Sequence, residues 1–322
     1  MSVSRLEGLV ILKSSRNCRV ETPDGVLLCS LRGKFRDADR KRSPVVVGDR
    51  VVVTPTSDGE GVLEEILPRR TELRRARAQG GRGGPGRRRH PRRGKAGGRA
   101  LVVAANVDQV LLVLAAVAPP PRWTLADRVL ISAELEEVDA GICVNKWDQT
   151  TDEPEEAEYL EEWLELYRGL GYAVFRSSAV EGSGIDELRD WLRGKMTVLS
   201  GHSGVGKSTL LNALAPGLAI RTGAVNRMTG KGRHTTTAVT SYRLGESGYL
   251  VDTPGYREYG LLDLEAPDVS RFYREFRPLL GGCRFKDCIH VEEPGCRVLA
   301  ALEAGEIDAR RYGNYLQILE SL

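Results

Sequence analysis

No apolar run in this 322-residue sequence is long enough to cross a bilayer. The longest runs, such as residues 111–118, fall far short of the roughly 20 residues a membrane helix needs. The opening residues, MSVSRLEGLVILKSSRN, have no basic start followed by a long apolar stretch, so no signal peptide is expected. A disulfide framework is not suggested either. There are six cysteines, and three of them crowd with a histidine near the C-terminus. Together these absences point to a soluble, cytoplasmic chain with no membrane partner. The apolar fraction of 41% is ordinary, and the length suffices for two or three domains with sizeable cores.

Acid is nearly missing from one stretch. Between Arg69 and Arg99 thirteen Lys or Arg accompany a single acid, Glu72. That stretch carries +12, which leaves −9 for the remainder of a chain whose net charge is +3. Its glycine-rich centre, QGGRGGPGRRRH at 79–90, cannot bury enough apolar surface to fold alone. Residues 76–100 therefore read as a mobile, polycationic loop or linker. It is either a solvated spacer or a contact to nucleic-acid phosphates, favoured by counterion release.

Residues 1–75 read as all-β. Apolar or alternating segments at 9–12, 18–21, 26–31 and 61–67 are joined by Thr22-Pro-Asp-Gly25, a good hairpin turn, and by a 45–53 stretch with two strand-like pieces around Gly48-Asp49. Five short strands fit a small barrel of the oligonucleotide-binding (OB) type, and an SH3-like barrel would give much the same pattern. From residue 101 to about 265 strands and helices alternate. Strands are expected at 109–116, 140–144, 172–175 and 197–200, with helices at 125–137, 155–168, 185–192 and 208–215. This predicts a mostly parallel sheet with helices on both faces. Residues 266–322 read as helical segments around the cysteine cluster. Cys18, Cys29 and Cys143 lie on strand-like segments and are expected in cores.

GHSGVGKS at 201–208 fits the phosphate-binding pattern G-x-x-x-x-G-K-[ST] in full, after a strand and before a helix. Gly201, His202, Ser203, Gly204, Val205, Gly206, Lys207, Ser208 and Thr209 form the expected phosphate-binding set. The glycines let backbone N–H groups turn toward anionic oxygens, and the helix points its positive end at them. Lys207 is expected to reach the β- and γ-phosphates and Ser208 to ligate Mg²⁺. His202 reads as a tolerated variant rather than a catalyst.

Asn145, Lys146, Trp147 and Asp148 form a guanine-reading motif at the end of a strand. Asp148 is expected to accept from the N1–H and exocyclic amine of guanine. Adenine lacks that donor pair and would leave the carboxylate unmatched. Ser178 and Ala179, just after the next strand, fit the second base-contacting loop. The base motif precedes the phosphate loop, the reverse of the usual order, so the GTPase parts are circularly permuted.

Asp252 and Gly255 of Asp-Thr-Pro-Gly follow an apolar run and suit the segment that senses the γ-phosphate. Asp252 would hold Mg²⁺, and Gly255 would offer its N–H. Between the two lies GKGRHTTT at 230–237, where Thr235 or Thr236 can complete the Mg²⁺ shell when GTP is bound. A glutamine directly after Asp-x-x-Gly, which orients water in many GTPases, is missing. Tyr256 stands there, so unaided hydrolysis is expected to be slow. His234 is the candidate for positioning water; the alternative is a loop histidine with no catalytic role. Cys283, Cys288, His290 and Cys296 form the Cys₃His set of a structural zinc site, with four protein ligands and no open position.

These motifs together resemble the bacterial family of small-ribosomal-subunit biogenesis GTPases called RsgA or YjeQ. The resemblance is carried by AANVDQ at 104–109, PPPRW at 119–123, GVGKS at 204–208, GRHTTT at 232–237 and the metal spacing, and it covers nearly the whole chain. His202 stands where the family pattern has glutamine, and the Arg/Gly stretch is longer and more basic. The resemblance implies three domains, an OB-fold barrel (1–75), a permuted GTPase domain (101–265) and a zinc-binding helical domain (266–322), with the basic linker read from composition (76–100) between the first two. It implies a GTP-hydrolysing chain that binds GTP and GDP and acts late in maturation of the 30S ribosomal subunit; a monomer is expected. The subunit and its 16S rRNA are then the partners, and the subunit stimulates hydrolysis.

Overall fold

The computed structural model describes residues 5–14, 17–31, 45–75, 101–217, 239–246, 248–252 and 264–322. The expectations placed on the basic stretch 76–100, on His234, Thr235 and Thr236, and on Gly255 and Tyr256 lie outside the described residues.

Five strands make the N-terminal barrel: β1 (Leu6–Lys13), β2 (Asn17–Thr22), β3 (Gly25–Leu31), β4 (Arg50–Ser57) and β5 (Glu60–Ile66). They close in the order β1-β2-β3-β5-β4-β1, with β3 and β5 parallel and the other neighbours antiparallel. Strand alternation sends Val10, Cys18, Val20, Cys29, Leu31, Val51, Val53 and Leu63 into one core. This is a five-stranded barrel of the OB type. Of the two strand pieces expected around Gly48, only the second forms a barrel strand, while Val45 of the first packs into the barrel core. Val47 instead bridges in parallel to Ala104, and the buried Asn106 side chain donates to Gly48 O (2.8 Å) while accepting from Arg70 N (2.8 Å). Tertiary contact with the following segment has overridden an apolar run that reads locally as strand.

Two further strands, β6 (Glu72–Arg75) and β7 (Leu101–Ala105), pair antiparallel, with Arg75 opposite Leu101. Arg75 and Leu101, the residues that flank the stretch 76–100, therefore lie opposite each other in one ladder.

The α/β layer contains β8 (Gln109–Ala115), β9 (Asp139–Asn145), β10 (Ala173–Arg176), β11 (Met196–Ser200), β12 (Thr240–Leu244) and β13 (Gly248–Asp252). Their order is β10-β9-β8-β11-β13-β12, parallel except for β12. Every residue of β8 is buried, as a strand covered on both faces requires. Val110, Leu112 and Leu114 face a core built with α1 (Trp123–Leu135) and α2 (Pro154–Gly169). Leu111, Val113 and Ala115 face the opposite core, built with α3 (Ile185–Leu192) and α4 (Lys207–Leu214). Helix α2 shows why these segments are helical. Pro154 opens it, Glu155 and Glu156 lie in its first turn and Arg168 in its last, and Leu160, Trp163, Leu164 and Tyr167 form its buried stripe. Burying each such side chain contributes about 1.5–3 kcal/mol.

Past Asp252 no strand occurs among the described residues. Short helices α5 (Ala266–Val269) and α6 (Arg297–Glu303) and the longer α7 (Ala309–Glu320) enclose their own core around Tyr273, Phe276, Tyr315 and Ile318. Asp308 caps α7 by accepting from Arg310 N and Arg311 N. No helix among the described residues is long and apolar enough to cross a membrane.

Candidate guanine-nucleotide site and metal centre

β11 ends at Ser200 and α4 begins at Lys207, so the phosphate loop spans a strand end and a helix N-terminus. Gly201 and Gly206 adopt φ of +137° and +90°. A Cβ at Gly206 would lie 2.5 Å from Asn145 Nδ2, and one at Gly201 would lie 2.2 Å from Val113 O. Glycine is required at both because the backbone curls tightly against the neighbouring strand ends. The Lys207 ammonium donates to Gly201 O (2.6 Å) and His202 O (2.7 Å), bracing the loop. Ser203 and Gly204 are exposed, while His202, Ser208 and Thr209 are half-buried around the helix start.

The base motif sits beside this loop although it lies far upstream in the chain. Asn145, 1% exposed, is the hub. Its Nδ2 donates to Val205 O in the phosphate loop (3.0 Å), and its Oδ1 accepts from Ala179 N and Ser177 Oγ, both at 3.2 Å. One amide therefore ties together the three loops singled out in the sequence. Lys146, at φ +63°, donates to Ala118 O (2.7 Å), and Trp147 N donates to Ser177 O (3.0 Å). Asp148 lies in the 3-10 turn Trp147–Thr150, and its buried Oδ1 has no hydrogen-bond partner among the described residues. A buried carboxylate oxygen without a donor fits a ligand that brings N–H groups, as guanine does. The buried Ser178 Oγ accepts from Glu181 N (3.1 Å), which shapes the Ser178–Ala179 turn.

Asp252 ends β13, paired with Leu199 of β11 and so next to the phosphate loop. Burial raises its carboxyl above the ordinary range, and the Lys207 ammonium pulls it back. Asp252 thus lies within electrostatic reach of Lys207, and Ser208 follows Lys207 in the first turn of α4. A magnesium ion fits that mixture of carboxylate and hydroxyl oxygens beside phosphate.

The second centre is in the C-terminal helical part. The ligand atoms of Cys283, Cys288, His290 and Cys296 lie within 4.8 Å of one another. His290 Nδ1 is 3.6, 3.3 and 3.3 Å from the sulfurs of Cys283, Cys288 and Cys296, and the Cys283 and Cys296 sulfurs are 3.9 Å apart. A tetrahedral ion with Zn–S and Zn–N bonds of about 2.3 and 2.0 Å needs edges of about 3.5–3.8 Å, so the four atoms fit a single metal ion. Burial pushes the Cys288 thiol up to about 12 and lowers His290, which keeps the imidazole neutral and able to ligate. Arg297 N and Leu299 N donate to the Cys283 and Cys296 sulfurs (3.4 and 3.5 Å).

Supporting residues around both centres carried little signal in the sequence. Glu293 accepts from Ile289 N, Val291 N and Glu292 N and closes the metal loop. Despite some desolvation, these backbone donors hold its carboxyl low, at about 2. Tyr312 and Tyr315 of α7 donate to His290 O and Ile289 O, each at 2.7 Å. An acidic residue inside a ligand loop was a visible clue to Glu293. Nothing local marked the two tyrosines.

Comparison with known proteins agrees with this geometry. The model of the RsgA GTPase family matches residues 86–262, and that of the RsgA N-terminal domain matches residues 7–63. The small ribosomal subunit biogenesis GTPase RsgA of Moorella thermoacetica is 39% identical over 98% of this chain and 96% of its own length. Its counterpart in Chlorobaculum parvum is also 39% identical, over 98% of both chains. The crystal structure of YjeQ from Thermotoga maritima superposes with a TM-score of 0.75 at 35% identity, covering 99% of each chain. YloQ, a circularly permuted GTPase, gives 0.71 at 28% identity over 99% of this chain and 95% of that one. With the permuted order of loops, the barrel, the Cys₃His cluster and these full-length likenesses in place, the chain belongs to the RsgA family of circularly permuted GTPases, enzymes that hydrolyse GTP.

Proposed function

We propose that the chain is a GTP-driven factor in late assembly of the 30S ribosomal subunit, that the subunit stimulates its hydrolysis, and that hydrolysis releases it. The observation that carries the nucleotide part is the Asn145 hub, which gathers the phosphate loop, the Ser178–Ala179 turn and the donor-seeking Asp148 into one site. The partner is supported by relatives at 39% identity whose name is small ribosomal subunit biogenesis GTPase.

In this reading Asp148 accepts from the guanine edge, with Lys146 and Trp147 framing the base. Backbone N–H groups of residues 203–209 cradle the phosphates, and Lys207 offsets charge on the β- and γ-phosphates. A magnesium ion held by Ser208, Asp252 and either Thr235 or Thr236 would supply further neutralisation of that charge. Gly255 offers its N–H to the γ-phosphate. His234 positions water once the subunit orders its loop, taking the place of the glutamine replaced by Tyr256. The ion of the Cys₃His cluster is zinc in a structural role, since four protein ligands leave no position open. The four parts bounded at residues 75, 100 and 265 act together as a cytoplasmic monomer. The barrel, the basic stretch and the zinc module grip 16S rRNA.

The test is GTP hydrolysis by the purified chain alone, with salt-washed 30S subunits and with 50S subunits. Slow turnover that rises strongly with 30S and not with 50S is expected. Equal rates under all three conditions would refute activation by the small subunit.

A further inference from the structure

Among the described residues, the barrel and the nucleotide site share one sheet through one residue of β12. Thr240, the first residue of β12, pairs with Leu12 of barrel strand β1 on one side and with Asp252 of β13 on the other. With strands about 4.8 Å apart, the barrel backbone lies about 10 Å from that of Asp252. Side chains reinforce the junction. Ser241 Oγ of β12 donates to Ile11 O of β1 (2.8 Å). Glu21 of β2, with a side chain only 17% exposed, accepts from Tyr249 Oη of β13 (2.7 Å) and from the Arg243 guanidinium of β12. Arg243 and Tyr249 stand directly opposite each other in the β12–β13 ladder, three residues from the Thr240–Asp252 pair. Arg243 also donates to Gly245 O (3.3 Å) and Glu246 O (2.6 Å) in the turn between the strands. One barrel carboxylate therefore grips both strands of the hairpin and, through Arg243, its turn. Burial and then the Glu21 carboxylate push the Tyr249 phenol up to about 12, so it remains a donor throughout the physiological range.

We propose that the barrel sets the position of Asp252, with Glu21 as the positioning residue that holds the hairpin whose end presents Asp252 to the nucleotide. The proposal rests on the reading of Asp252 as part of the site that senses magnesium and the γ-phosphate. A barrel tied only for stability would leave nucleotide discrimination untouched. A barrel that positions Asp252 changes affinity for the triphosphate and leaves the diphosphate alone. Linkage requires the converse as well: the triphosphate tightens the barrel on the hairpin.

The experiment uses the full chain and titrates GDP and a non-hydrolysable GTP analogue, each with magnesium, into the Glu21→Ala, Tyr249→Phe and Asp252→Asn variants. Asp252→Asn and Glu21→Ala are each expected to weaken the analogue roughly five-fold or more, the lower end of coupling between sites, while GDP binding holds within about two-fold. Tyr249→Phe removes one hydroxyl, keeps the ring packing and is expected to shift the analogue in the same direction by less. If Asp252→Asn weakens the analogue but the other two variants bind both nucleotides as the unaltered chain does, the role of Glu21 is overturned and that of Asp252 stands. If Asp252→Asn leaves the analogue unaffected, the reading of Asp252 falls and the inference falls with it. Equal losses for GDP and analogue in Glu21→Ala, with Tyr249→Phe silent, reveal a structural role only and also overturn it. Hydrogen exchange of the unaltered chain adds a readout without mutation. The amides of β1 are expected to exchange more slowly with analogue than with GDP, and equal rates count against the coupling.

Discussion

Replacing Arg311 with methionine is expected to destabilise the docking of the C-terminal module by about 3–5 kcal/mol, the usual cost of breaking a buried ion pair from one side. The Arg311 side chain is 1% exposed and its partners Asp127 and Glu275 are 0% and 9% exposed. Its Nε donates to Glu275 (2.7 Å), its other arm to Asp127, and Asp127 also accepts from Tyr167 Oη (2.6 Å). The cluster joins α1, α2 and α7, and burial already raises the Glu275 carboxyl to about 7, so removing the cation leaves two buried carboxyl groups without their shared partner where the modules meet. The cluster is also imperfectly satisfied. Asp127 Oδ2, Glu275 Oε2 and Arg311 Nη2 have no partner among the described residues. Neutralising all three groups together, as Arg311→Met, Asp127→Asn and Glu275→Gln, is therefore expected to recover most of the loss. Urea unfolding followed by tryptophan fluorescence reads this directly. Trp123 and Trp163 stack at 4.8 Å beside the cluster, and the Arg310 guanidinium of α7 lies 5.0 Å over Trp163. A loss below about 1 kcal/mol for Arg311→Met would mean that the pair behaves like a surface salt bridge and that the burial argument fails. A triple variant as unstable as the single one would show that Arg311 matters for packing rather than charge.

Three other outcomes follow from the same structure. Asp148→Asn replaces a pure acceptor with a mixed donor–acceptor group, so GTP affinity should fall at least ten-fold, in line with an unmatched buried polar pair, while xanthosine triphosphate gains; unchanged preference in a competition assay would remove Asp148 from base reading. Glu134, held by Arg274 (2.7 Å) and Arg277 (2.6 Å), is desolvated, yet these guanidinium groups bring its carboxyl below the ordinary value of 4.5. A depressed carboxyl contributes stability that is present above pH 4.5 and lost as the pH falls through its folded value, so the Tm gap between the parent and Glu134→Gln should be widest near neutrality and close in acid; a gap that widens on acidification contradicts the sign. Stripping the metal with a chelator should release one zinc per chain, measurable by elemental analysis, and lower the Tm of the C-terminal module; a chain with no bound metal and an unaltered melt would sink the structural role.

What could be read from the sequence is what depends on neighbours along the chain. The phosphate loop, the Asn145–Asp148 motif and the Cys283–Cys296 spacing are contiguous because turning N–H groups toward phosphate, or wrapping one ion, takes a short closed loop. Periodicity likewise separated β8 from α2, since a strand buried on both faces and a helix with one apolar stripe leave different local patterns. Two local readings needed the structure to place them. The first apolar piece before Gly48 became a bridge to Ala104, and Arg75 and Leu101 on either side of the basic stretch pair in one ladder, because in each case the partner lies elsewhere in the chain. The Asn145 hub, the Leu12–Thr240–Asp252 row and the Asp127–Arg311 pair, separated by 184 residues, were decided only by tertiary structure. Periodicity records which face of an element is buried, whereas strand order, register and the partners of buried polar groups depend on how distant elements meet.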